Sequence, residues 1–93
     1  MTSDVLSLIR NNLDGFSKRQ RAIAHFIMDN YDKAAFMTAS RLGKAISVSE
    51  STVVRFAAEL GYEGYPEMQR ALQEMIRNKL TSIQRIEVSN DRL

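Results

Sequence analysis

The chain has 93 residues, 13 basic and 11 acidic groups, a formal charge of +2, 44% apolar residues, no cysteine and a single histidine, His25. A chain this short holds one small core, with no room for a deep cleft between lobes, and it is too apolar and too weakly charged for a disordered tail. Without Cys or a second His there is no disulfide frame, thiolate nucleophile, Cys-ligated zinc or paired-His metal site.

The apolar spacing is helical nearly throughout. The first helix is expected from Asp4 to Leu13, with Leu6, Ile9 and Leu13 on one face, and Asp14-Gly15 stops it. The second opens at Ser17. Ser17 with Gln20 fits a capping box, and Phe16 is placed to staple the entry. Ile23, Ala24, Ile27 and Tyr31 form its inward stripe, and Lys18, Arg19 and Arg21 lie outside it. Residues 32–37 read as a short connection.

Thr38 caps a brief third helix, Ala39 to about Ile46, with Ala39, Leu42 and Ile46 inward. Ser47-Val48 is a tight turn. Ser49 caps the fourth helix, which runs from Glu50 to Leu60. There Val53, Phe56, Ala57 and Leu60 follow the i, i+3, i+4, i+7 pattern of a buried face. Gly61 stops it. Pro66 suits the first turn of a fifth helix reaching about Leu80, with Met68, Leu72, Met75 or Ile76, and Leu80 on one side. Residues 81–93 keep Ile83, Ile86 and Val88 and either extend that helix or form a linker. The fold class expected is all-α: a five-helix domain with a trihelical core and flanking N- and C-terminal helices.

The informative constellation is residues 39–58, two short helices joined by a tight turn. A helix-turn-helix needs small residues where its backbones approach and apolar residues facing inward. Leu42, the small Gly43, Ser47 in the turn, then Val48, Val53 and Phe56 meet that need. The outer face of the second helix carries Glu50, Ser51, Val54, Arg55 and Ala58. Arg55 is the long donor among them, and a guanidinium can take two acceptors on guanine. Ser49, Ser51 and Thr52 stand at the helix start, where hydroxyls and amides can hold a phosphate, although such residues are more often plain caps. Glu50 repels phosphate, so it accepts from cytosine N4 or orients Arg55 or a neighbour. Thr38, Arg41 and Lys44 on the first helix of the pair complete the candidate DNA-binding set. The charge distribution is compatible with this. Residues 1–47 carry seven basic and four acidic groups, and residues 48–93 carry six and seven.

His25 reads as a surface or partly buried side chain. Met28, Met37, Met68 and Met75 read as core filler, and Phe26, Phe36, Phe56, Tyr62 and Tyr65 as packing residues. No nucleophile, base and orienting group share a site, and no glycine-rich phosphate loop is present, so a binding module without catalysis, cofactor or metal is expected. No apolar run approaches the ~20 residues of a membrane span, and the opening residues do not read as a signal peptide. The expected compartment is the cytoplasm. A helical module for protein–protein interaction, without DNA binding, is the alternative.

Val48-Ser49-Glu50-Ser51-Thr52-Val53-Val54-Arg55-Phe56, then Leu60-Gly61-Tyr62 and Gly64-Tyr65-Pro66-Glu67, resemble the N-terminal domain of RpiR-family transcription regulators. So do Gln20-Arg21-Ala22-Ile23-Ala24 and Ala35-Phe36-Met37-Thr38. The similarity covers about residues 1–80. It implies a helix-turn-helix that binds operator DNA, joined through residues 81–93 to a C-terminal SIS domain that lies outside this chain and senses a phosphosugar. Regulation of sugar or amino-sugar genes is implied with it. Two places depart from the family's usual pattern, Tyr31 where Pro often follows Asn and Met68-Gln69 in place of Leu-Lys, and Ser47 fills the turn position where many helix-turn-helices place Gly. One helix-turn-helix makes few base contacts, so a homodimer is expected on half-sites about 10 bp or a multiple apart. The N-terminal helix and the stripe from Leu72 through Ile83 are its candidate surfaces.

Overall fold

The computed structural model describes residues 4–91, and the side chains of residues 4–78. Six helices follow one another among the described residues. They are α1 (Val5–Asn12), α2 (Lys18–Asp29), α3 (Tyr31–Ala34), α4 (Ala39–Ile46), α5 (Glu50–Glu59) and α6 (Tyr65–Asp91), with a 3-10 turn at Leu13–Gly15.

The N-termini of α1, α2, α4 and α5 are each closed by a side chain, because the first amides of a helix lack a partner within it. Asp4 accepts from the Ser7 amide at 2.7 Å. The capping box of α2 is complete. The Gln20 amide donates to Ser17 Oγ at 3.2 Å, and the Ser17 amide to Gln20 Oε1 at 2.9 Å. Phe16 does not staple onto its own helix, where the facing position is the exposed Arg21. It packs instead on Phe56 of α5, ring centroids 5.1 Å apart and tilted by 50°.

The five expected helices correspond to α1, α2, α4, α5 and α6. The added element, α3, is a single turn within the expected connection. It buries Ala34, and Ala35 just after it is buried too. In α1 the fully buried residues are Val5 and Ile9, one helical turn apart. Leu6 and Leu13, expected inward, are only partly buried. Tyr31 and Ile46 are likewise partly buried.

α2, α4 and α5 pack against one another as the trihelical core. Ile23, Ala24, Ile27, Leu42, Val53, Phe56 and Ala57 fill its centre. α6 lies across α5 and α3, and α1 rests against both α2 and α6. Met68 and Leu72 of α6 are fully buried, while Met75 and Ile76 are half-buried. No charged side chain is buried among the described residues. α6 continues to Asp91, so the helical alternative holds for residues 81–91. Its 27 residues span about 40 Å at 1.5 Å per residue. Leu80, Ile83, Ile86 and Val88 lie outside the described side chains.

Candidate nucleic-acid interface

The helix pair is set by its turn. Ser47 adopts the left-handed conformation, φ 61° and ψ 43°, without being glycine. Its amide and that of Val48 both bond back to the Gly43 carbonyl, the latter at 2.9 Å. This is how α4 ends and the chain reverses. The serine therefore takes the geometry that glycine adopts freely, at a conformational cost of roughly 1–2 kcal/mol. Gly43 itself is buried where α4 meets the turn, with no room for a side chain.

Past the turn, Ser49 closes α5. Its Oγ accepts from the Thr52 amide at 3.2 Å and lies 2.7 Å from Thr52 Oγ1 and 3.2 Å from Ser51 Oγ. The hydroxyls of Ser49 and Thr52 are thus engaged with each other, while Ser49 and Ser51 remain exposed at the surface. Val53, Phe56 and Ala57 point into the core, which turns Glu50, Ser51, Val54, Arg55 and Ala58 outward. Glu50, Ser51, Val54 and Arg55 line one shallow, open depression. Val54 is 40% exposed at its floor. An apolar patch beside an Arg donor suits a base edge, which combines acceptors with the thymine methyl.

Thr38 accepts from the Arg41 amide at 3.1 Å and starts α4. Arg41 and Lys44 stand exposed on the outer side of that helix. Among the described residues the side chains of Arg41, Lys44 and Arg55 form no ion pair, so their donors are available to an anion. Glu50 forms no ion pair with Arg55 either. Five positions separate them, and side chains meet across a helix surface at three or four. Of the roles expected of Glu50, orienting Arg55 is therefore not seen. A second cleft, between α1 and α6, is rimmed by Asp4 and Glu74, the wrong sign for phosphate.

His25 is exposed, and Met68 fills core as expected, with Met28, Met37 and Met75 packed against its edge. Phe36 is the exception among the aromatic residues. Expected to pack, it is 69% exposed. Ala34 and Ala35 take the inward positions at the end of α3 and leave Phe36 facing out.

Three donors that the sequence does not reveal hold the segment around Phe36. Tyr65 Oη donates to the Met37 carbonyl at 2.6 Å, Gln69 Nε2 to the same carbonyl at 3.2 Å, and Gln73 Nε2 to the Ala35 carbonyl at 2.9 Å. Their acceptors are main-chain oxygens 28 to 38 residues away, which no local pattern marks. Burial pushes the Tyr65 phenol up to about 12. Tyr62 is also raised, by burial first and then by the nearby Asp4 and Glu67 carboxylates.

No cluster of three potential metal ligands occurs among the described residues, and no helix there is long and apolar enough to cross a membrane.

Residues 3–79 match the family described as "Helix-turn-helix domain, rpiR family". The chain is similar to an uncharacterized HTH-type transcriptional regulator, YfhH, of Escherichia coli K12, at 32% identity over 73% of this chain and 24% of that protein. It is similar to the HTH-type transcriptional regulator HexR of Pseudomonas aeruginosa PAO1, at 34% identity over 78% of this chain and 26% of that one. The chain thus spans about a quarter of the length of these relatives. It belongs to the rpiR family of helix-turn-helix domains.

Proposed function

We propose that this chain reads an operator, with α5 in the major groove of double-stranded DNA and α4 across the adjoining backbone. The observation that carries this reading is the outer face of α5, where small and polar side chains surround one available guanidinium, Arg55. Arg55 addresses a base. Glu50 accepts from a cytosine amine. Thr38, Arg41, Lys44, Ser49, Ser51 and Thr52 approach phosphates. The domain acts in the cytoplasm by binding rather than by catalysis. It works as a homodimer on two-fold related half-sites, coupled through the end of α6 to a C-terminal SIS domain that senses a phosphosugar and controls sugar or amino-sugar genes.

The deciding experiment is binding to double-stranded DNA across a salt series, with fragments selected by the chain from a random library. Phosphate contacts release counterions, so log K should fall steeply and linearly with log salt, and selected fragments should outcompete random ones. Absent or salt-independent binding would move the outer face of α5 to the protein-interaction reading. Sedimentation in the presence of a selected fragment tests the dimer, because one chain per duplex contradicts it.

A further inference from the structure

We infer that Tyr65, Gln69 and Gln73 form a polar clasp that positions α4, and with it Arg41, against the DNA backbone. The three residues stand one turn apart on a single face of α6, at i, i+4 and i+8. All three donate to main-chain carbonyls in one short stretch, two at Met37 and one at Ala35.

That stretch needs an external hold. It joins α3, a helix of four residues, to the Thr38 cap of α4. A helix that short has little stability of its own. The local amides are held by turn bonds. The Ala35 amide bonds to Tyr31, the Phe36 amide to Lys33 and the Met37 amide to Ala34. Their carbonyls have no helix to continue into, so partners must come from elsewhere.

Water could serve an exposed carbonyl. Here the partners are two glutamines and a buried tyrosine. Ordering a glutamine side chain costs rotamer freedom, which the bonds it makes must offset. They pin the main chain on both sides of the exposed Phe36, one peptide before Thr38. The Thr38 hydroxyl in turn receives the Arg41 amide. Where α4 begins, and where Arg41 projects, is thus fixed from α6. In a docked helix-turn-helix the first helix of the pair lies across the backbone, so a shift there changes phosphate contacts before it changes base contacts. Gln69 acts here as a neutral donor within the fold.

The inference rests on the DNA-binding reading, and the test separates the two. The chain and its Gln69→Met/Gln73→Met variant are compared on a 30-base-pair mixed-sequence duplex across a salt series. Methionine keeps the volume and removes the two glutamine donors, and Tyr65→Phe added to that variant removes the third. Circular dichroism and the denaturation midpoint are recorded alongside, with Gln73→Met alone as the milder variant. The expected result is native helix content, binding weaker by about tenfold, and a salt slope shallower by about 0.9, the value of one lost phosphate contact. Amide exchange at Arg41 should quicken, while exchange at Phe56 stays as in the parent. An unchanged affinity and slope, or an affinity loss that merely follows unfolding, would overturn the clasp while leaving the DNA reading intact. If the parent shows no salt-dependent binding, both fall together.

Discussion

Gly43 and Val48 are joined from two sides. The Val48 amide donates to the Gly43 carbonyl at 2.9 Å, and the Val48 carbonyl stands 2.6 Å from where a Cβ on residue 43 would lie. Real Cβ atoms essentially never come that close, and the obstacle is main chain rather than a mobile side-chain tip. Gly43→Ala must therefore push the turn away from α4. The expected loss is about 1–3 kcal/mol of stability, read as a lower urea midpoint with an unchanged slope. A variant as stable as the parent would contradict the close approach.

Ser49 and Ser51 separate capping from DNA contact. Ser49 Oγ receives the Thr52 amide, so Ser49→Ala should cost about 1 kcal/mol of stability. Ser51 has no capping bond of that kind and is exposed, so Ser51→Ala should leave stability within about 0.5 kcal/mol of the parent. If Ser51 touches a phosphate, its loss should appear in DNA affinity alone. Equal effects of both changes on stability would refute this division of roles.

Arg55 is exposed and forms no ion pair among the described residues, so truncating it should not disturb folding. Arg55→Ala should cost about 1–3 kcal/mol on a selected operator and much less on random DNA, as measured by competition binding. Equal losses on both would make Arg55 a phosphate contact.

The Tyr65 phenol ionises near pH 10 in an unfolded chain and at about 12 in the fold. Between these values the unfolded state releases a proton that the folded state keeps. The stability Tyr65 contributes is thus fully present below pH 10 and is lost as pH rises through about 12. Tyr62 tilts the same way. Tyr65→Phe should flatten the fall in urea midpoint over this window, and it should also cost about 1 kcal/mol of stability at neutral pH through loss of the bond to Met37. An equally steep alkaline fall in the variant would exclude Tyr65 as its source.

Most of the helix pair was legible because its signals are local. Thr38, Ser17 and Ser49 cap within three residues of themselves, and Val53, Phe56, Ala57 and Leu60 repeat at the helical period. Those spacings also turned Glu50, Ser51, Val54 and Arg55 outward, since a stripe facing the core determines what faces away. Phe36 was misplaced for a related reason. Its apolar character suggests burial, but two alanines beside it occupy the inward positions of a one-turn helix that no periodicity announces.

By itself, the sequence determined the class of this protein: an all-helical domain with a helix-turn-helix at residues 39–58 and one guanidinium on its outer helix. These features follow from caps, period and small residues acting within a few positions. The tertiary structure alone decided what holds the pair in place. It set Phe16 on Phe56 rather than on its own helix. It gave Ser47 a left-handed backbone. It brought Tyr65, Gln69 and Gln73 to carbonyls at residues 35 and 37. Side chains that donate to main-chain oxygens leave no mark on the residues they reach, because every residue carries the same carbonyl.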